Sequence, residues 1–192
     1  HAAVMLLDCA ALPWDVGRVV AMKAAPRGTH VAIANHRNEV LVGDVAAGTL
    51  TLVERSDAGR TEDPAWSPDG AWLAYSFWTD PRHTAIKLYD VANKTATLVT
   101  QPEFRDFSPA FDPEGKYLYF LSVRTFDPVY DSVQFELSFP RAMRPYLIAL
   151  GSGGRPPFDP LPKGMKCDES ERKGDRSAKD DAAKAPIVVD LD

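Results

Sequence analysis

The sequence of 192 residues lacks the features that define several large classes of protein. No apolar run approaches the roughly 18 residues that a membrane-spanning helix needs, so we expect no membrane contact. Lysine and arginine number 22 against 27 aspartates and glutamates, and without a basic excess no nucleic-acid partner is expected. The two cysteines, Cys9 and Cys167, lie far apart in the sequence. We expect them to be reduced thiols, which fits a reducing compartment.

Motifs for catalysis and for cofactors are also missing. There is no Gly-x-Ser-x-Gly elbow, no glycine-rich phosphate loop and no His-Glu-x-x-His pair. His36 and His83 fall in corresponding loops, and a metal pair is conceivable there, but polar loop residues are the favoured interpretation. We therefore predict no metal site, no cofactor and no catalytic residue in this chain.

Four aspartates could be mistaken for a general acid and base: Asp106, Asp112, Asp127 and Asp131. Solvated or turn-capping roles are favoured for all of them. For Asp112 the reason is specific, since it occupies a turn position that recurs along the chain.

The chain begins at His1 and ends within an apparent strand, so we interpret it as an excerpt from a longer polypeptide. No secretory signal is visible, and whether one precedes His1 stays open.

Sixteen prolines and twelve glycines are typical of a turn-rich β protein rather than a helical bundle. An internal repeat supports this prediction. Residues 22–33, 64–75 and 109–120 resemble one another, with Pro26, Pro68 and Pro113 spaced by 42 and 45 residues and a glycine two positions after each. A second half of the unit recurs at residues 40–53 and 86–99. Each unit therefore contains about four short strands joined by tight turns.

The strand at residues 72–78 is apolar at nearly every position, which predicts that both of its faces are covered. Four antiparallel strands with two buried faces describe a blade of a β-propeller. The predicted fold class is all-β, a partial β-propeller of four-stranded antiparallel blades. A β-sandwich is the alternative, but it lacks this repeat.

We expect residues 1–150 to form about three blades, the third carrying an aromatic-rich insertion at 123–145 that packs on the surface. Residues 151–185 hold eight basic and seven acidic side chains and few apolar ones, which predicts a disordered charged loop. Residues 186–192 are predicted to start the next strand.

Three arginines follow the second strand of successive units: Arg37, Arg82 and Arg124. In a propeller these loops share one mouth of the channel with the segments entering the innermost strands, which include Arg105 and Asp106. A ring of arginines there could attract acidic groups or peptide carboxylates, but ordinary solubilising charges are the favoured interpretation.

The insertion and its surroundings resemble one family in particular. FDPVYDSVQFELSFP at residues 126–140, RPYLI at 144–148 and ANHRNEV at 34–40 are similar to the second, seven-bladed propeller of tricorn proteases. The long charged loop and the strand that follows it also resemble that family, although the loop is mixed in sign rather than acidic.

This resemblance implies a large cytoplasmic serine peptidase that assembles as a homo-hexamer and trims oligopeptides. Its catalytic residues would lie in C-terminal domains, and no residue here matches them. The segment would act as a filter for peptide substrates and contact the neighbouring propeller and protease domains of its own chain. The alternative is a TolB-like propeller that serves as a protein-interaction module and belongs to no enzyme.

Overall fold

The computed structural model describes residues 14–151, 158, 187 and 189, and every regular element among them is a β-strand. Within these residues, no helix is long and apolar enough to cross a bilayer. The charged loop predicted at 151–185 and the strand predicted at 186–192 lie almost entirely outside the described residues and stay predictions.

The first sheet is a four-stranded antiparallel meander in which each strand pairs with the next one along the chain. Its strands are β1 (Val19–Ala24), β2 (His30–Asn35), β3 (Glu39–Asp44) and β4 (Thr49–Arg55). This is the order that the repeat predicts for one unit.

The second unit has the same order, with β5 (Ala65–Trp66), β6 (Trp72–Trp78), β7 (Thr84–Asp90) and β8 (Thr95–Leu98). Its first strand is the shortest, with two residues. A single parallel residue pair, Thr84 with Arg105, joins this unit to the third.

The third unit contains β9 (Arg105–Phe111) and β10 (Tyr117–Val123), and it is completed by β13 (Met143–Ala149). Between them, β11 (Val129–Asp131) and β12 (Glu136–Ser138) form a separate two-stranded hairpin. Strand β13 pairs with the whole length of β10 and begins at Met143. The last three residues of the predicted insertion therefore belong to the sheet of the third unit.

The turn between the first two strands is built by short polar side chains in the second and third units. In the second unit, the Ser67 hydroxyl accepts a bond from the backbone N–H of Trp72 at 2.9 Å and donates to Asp69. Gly70 has a φ of +77°, and a Cβ there would lie 2.7 Å from the Arg27 carbonyl oxygen, so the turn requires glycine. In the third unit Asp112 accepts bonds from two backbone N–H groups of the turn. The predicted turn role of Asp112 is therefore confirmed.

Successive units stack side by side. One apolar cluster joins the first unit to the second, and it includes Val40 and Val42 together with Leu73 and Tyr75. Another joins the second unit to the third. The first strands β1, β5 and β9 contact one another in series, as do the outer strands β4 and β8. This radial arrangement makes the fold a partial β-propeller.

Strand β6 shows why the sequence is apolar at consecutive positions. Leu73 and Tyr75 face the first unit, whereas Ala74, between them, faces the third. All three are fully buried. This confirms the prediction that both faces are covered, and burying a large apolar side chain such as Leu73 contributes about 1.5–3 kcal/mol.

The insertion departs from the expectation that its aromatic residues pack on the surface. It folds as the β11–β12 hairpin, and Phe126 stacks at an angle on Phe139 with 5.5 Å between ring centroids. Most of its large apolar side chains nevertheless remain exposed, including Phe126 at 81% and Phe135 at 75%. The hairpin is too narrow to bury them, because a two-stranded ribbon has no second layer of its own.

Candidate functional site

The loops singled out from the sequence lie at one end of the sheets, which we call the charged end. It comprises the turns at 36–38 and 79–83 and the connections at 56–64 and 99–104. Antiparallel pairing places the ends of even strands beside the starts of odd ones. Contacts between units confirm this: the Ser56 hydroxyl donates to the Trp78 carbonyl at 2.7 Å, and the Thr84 N–H donates to the Phe104 carbonyl at 3.0 Å.

Arg37 is held by two carboxylates. Its guanidinium donates to both Asp15 carboxylate oxygens at 3.0 and 3.1 Å and to Glu39 Oε2 at 2.8 Å. These bonds from Arg37 lower the pKa of Asp15, and a bond from the Asn35 amide, followed by those of Arg37, lowers the pKa of Glu39. Arg37 is thus largely neutralised within its own unit.

Arg82 lies in the exposed turn between β6 and β7. The turn is built around Asp80, whose carboxylate accepts the backbone N–H of Arg82 at 2.7 Å and contacts the His83 ring. These contacts, the Arg82 N–H first, lower the pKa of Asp80. Within the described part of the chain, no carboxylate pairs with the Arg82 side chain.

Arg124 and Asp106 are brought together. The Asp106 carboxylate is fully buried and accepts two bonds from Arg124 Nη2, at 2.9 and 3.1 Å, together with a bond from the Ser122 hydroxyl. The Arg124 guanidinium also lies over the rings of Phe104 and Tyr146. This is a buried, hydrogen-bonded ion pair, and such pairs contribute to the local structure.

Arg105 has a different environment, although it is the neighbour of Asp106 in β9. Successive side chains of a strand point to opposite faces, so Arg105 and Phe107 face the second unit. The Arg105 guanidinium carbon lies 5.5 Å from the ring centroids of both Trp78 and Phe107. Rings within about 6 Å attract a cation.

A small cavity of about 40 Å³ opens beside Arg105. Two arginines and two carboxylates border it: Arg60, Arg105, Glu62 and Asp63. Among the residues that the structure describes, none of these four charges forms an ion pair. We call this cavity the Arg105 cleft.

The remaining candidates have local roles. His36 Nδ1 accepts a bond from the Arg18 backbone N–H at 3.0 Å, in keeping with a polar loop residue. Asp131 accepts backbone N–H groups of its turn, and Asp127 lies 3.8 Å from Arg141. Over the described ranges, no group of three or more His, Cys, Asp or Glu side chains could hold a metal ion.

Several residues that line the Arg105 cleft are not predicted as site residues from the sequence. The sequence predicts Trp78 only as part of a strand with two covered faces, and it does not mark Arg60 or Ser108 as site residues. A signal was available for Trp78, since it stands at the last position of a buried strand. Nothing in the sequence marks Ser108, whose position depends on an irregularity of β9.

Comparison with known proteins gives a consistent result. Residues 10–192 match the family described as the tricorn protease second β-propeller domain. The chain is 38% identical over 162 residues to tricorn protease homolog 1 of Streptomyces coelicolor. This alignment covers 83% of this chain and 15% of the relative. It is 31% identical over 163 residues to the tricorn protease of Thermoplasma acidophilum, covering 82% of this chain and 15% of that protein.

A solved structure supports the same relationship. The crystal structure of the tricorn protease superimposes with a TM-score of 0.72 at 31% identity, covering 82% of this chain and 16% of the other. The chain therefore spans about one sixth of the length of the relatives that it matches.

Proposed function

We propose, because the chain belongs to the tricorn protease second β-propeller family, that it is a non-catalytic part of a serine peptidase. In this proposal, the segment contributes blades to a closed ring whose channel guides oligopeptides to an active site elsewhere in the polypeptide. The charged end forms one mouth of that channel. The full-length protein is proposed to be a cytoplasmic homo-hexamer.

The radial order of the first strands is the observation that carries this proposal. Strands β1, β5 and β9 lie next to one another, one from each unit, and β1 is exposed along almost its whole length. When further blades complete a propeller, such strands surround a central channel. Exposed charges at the charged end, including Arg82, Arg105 and Glu62, then border its opening.

Blocking this opening tests the proposal in the full-length protein. Cys9, Cys167 and any other reactive cysteines are replaced by serine, Glu62→Cys is introduced, and the new thiol is labelled with a bulky maleimide. Glu62 is exposed and forms no ion pair within the described residues, so the label is not expected to disturb the fold. The control is the same label on Ala96→Cys, at an exposed position of the outer strand β8.

We expect the label at residue 62 to slow hydrolysis of long oligopeptides several-fold more than that of a short chromogenic substrate. The label at residue 96 should change neither rate. Equal effects of the two labels would contradict guidance through this mouth. A full-length protein that hydrolyses no oligopeptide would favour the alternative of an interaction module.

A further inference from the structure

We infer that Arg105 is a specificity-determining residue of the channel mouth and that it binds a single carboxylate of an extended peptide. The inference rests on the proposed function and names the chemistry that the mouth selects. It follows from three properties of the Arg105 cleft: an available donor group, an unusual backbone and a balanced charge.

The first property is that the donors of Arg105 are available and lie near two aromatic rings. The other hydroxyl groups at the cleft are committed, since Ser76 donates to the Glu62 carbonyl and Thr84 donates to the Asp106 carbonyl. Arg105 contacts two aromatic rings and, within the described chain, no acceptor. A planar guanidinium in this position can bind a carboxylate through two parallel hydrogen bonds.

The second property is an irregular backbone on both sides of the cleft. Asp63 and Ser108 have φ angles of 51° and 50°, in the left-handed region that residues other than glycine rarely adopt. The Ser108 hydroxyl lies 3.3 Å from Asp63 Oδ2 and links the two units. Backbone of this kind persists where the surroundings hold it, and it is concentrated at binding sites.

The irregularity at Ser108 is a β-bulge in β9. Tyr119 of β10 pairs with Ala110, and Leu121 pairs with Phe107, so two residues of β9 oppose one residue of β10. Without the bulge, Ser108 would share the face of Asp106. The bulge instead places Ser108 beside Arg105 and Phe107 in the cleft, and bulges re-aim side chains in this way next to functional sites.

The third property is that two guanidinium groups and two carboxylates cancel in formal charge. A multiply charged anion such as phosphate gains little from a site of zero net charge, because Glu62 and Asp63 repel it. A single carboxylate can still pair with Arg105 while the peptide around it approaches the acidic pair. The volume of about 40 Å³ exceeds the roughly 10–15 Å³ that one water needs, so it admits such a small group.

Equilibrium binding to the full-length protein, inactivated with a covalent serine-peptidase inhibitor, tests this inference, with fluorescence anisotropy of three labelled peptides of equal length as the readout. The first peptide is uncharged with an amidated C-terminus. The second carries one glutamate in the same amidated peptide, and the third has no charged side chain but a free C-terminal carboxylate. The variants are Arg105→Gln and Arg105→Lys, and the control is Arg55→Gln, at an exposed arginine of the outer strand β4.

We expect Arg105→Gln to weaken binding of one or both carboxylate peptides about tenfold, the size of one charge-assisted hydrogen bond. Arg105→Lys should lose less, and the uncharged peptide should bind equally to all proteins. Loss confined to the second peptide identifies acidic side chains as the target, and loss confined to the third identifies the C-terminus. Equal effects on all three peptides, or no effect on any, would overturn the inference.

Binding without turnover separates this inference from the proposed function. If the label at residue 62 leaves hydrolysis unchanged, guidance fails, yet carboxylate-dependent binding at Arg105 can still be measured. If the binding is unchanged in Arg105→Gln but the label blocks hydrolysis, guidance stands and Arg105 is excluded as its selective residue.

Discussion

Arg124 and Arg105 lie at the same end of the molecule and both contact aromatic rings, but within the described residues only Arg124 is paired with a carboxylate. The Arg124 guanidinium lies 4.4 Å from the centroid of Tyr146 and donates to Asp106, whose carboxylate is fully buried. Arg105 lies between Trp78 and Phe107 and, within the described residues, meets no carboxylate.

This difference arises from one strand. Asp106 and Arg105 are consecutive in β9, so the alternation of side chains places the carboxylate inside the third unit and the guanidinium outside it. A paired arginine at a buried carboxylate is required by the fold, whereas an unpaired one at a cleft is available for a ligand. Both arginines lie at the same end of the sheets, so the partner of each one, and not its position, distinguishes them.

The sharpest test of the comparison is to remove each arginine and measure stability. Arg124→Met leaves the buried Asp106 with the Ser122 hydroxyl as its remaining side-chain partner, which should cost about 3 kcal/mol of local unfolding free energy. Hydrogen–deuterium exchange of β9 and β10 in the full-length protein should then be about a hundredfold faster.

Arg105→Met is the matched control, since it removes the same charge from the same end. It should change the local unfolding free energy of these strands, measured by the same exchange, by less than about 0.5 kcal/mol, as is usual for an exposed position. If the two variants lose equal protection, the distinction between a structural and an available arginine is wrong.

Arg37 forms a cluster with Asp15 and Glu39, which we call the Arg37 cluster. Acid should destabilise it, with a smaller effect than that of Arg124→Met. Folding lowers the pKa of Glu39 below its usual value of 4.5, chiefly through the bond from the Asn35 amide. The native state therefore binds fewer protons, so this stabilisation is present above pH 4.5 and is lost as the pH falls below it.

Exchange of the turn between β2 and β3, corrected for its intrinsic pH dependence, should accelerate as the pH falls below 4.5. Glu39→Gln should flatten this response and weaken the turn at neutral pH. An unchanged pH profile in the variant would mean that Glu39 is not the group whose protonation weakens the turn, since Asp15 also loses its pairing with Arg37 in acid.

The smallest effect is expected for the ring of three arginines. Replacing Arg37, Arg82 and Arg124 together with alanine should slow cleavage of acidic peptides more than neutral ones in the full-length protein. Because Arg37 and Arg124 are already paired with carboxylates, Arg82→Ala alone should reproduce most of that selectivity, no more than a few-fold. Equal rates on acidic and neutral peptides would mean that these three arginines do not select acidic peptides.

Much of the fold can be predicted because turn residues and the spacing of apolar residues along a strand determine it locally. The turn at Ser67 and Gly70 requires particular residue types, and the apolar run of β6 requires two covered faces. The exposed aromatic residues of the hairpin were not predicted correctly, since apolar composition does not reveal whether a second layer is within reach.

The sequence alone determined the repeat, the strand order within each unit and the family resemblance, because turn chemistry and hydrophobic periodicity act over a few residues. The tertiary structure alone decided which charges are neutralised. Arg124 meets a carboxylate 18 positions earlier in the chain, and Arg105 meets Trp78 of another unit, since pairing across strands and between units depends on register and on a bulge at Ser108. Contacts of that range are fixed by packing in three dimensions, and no local pattern of residues encodes them.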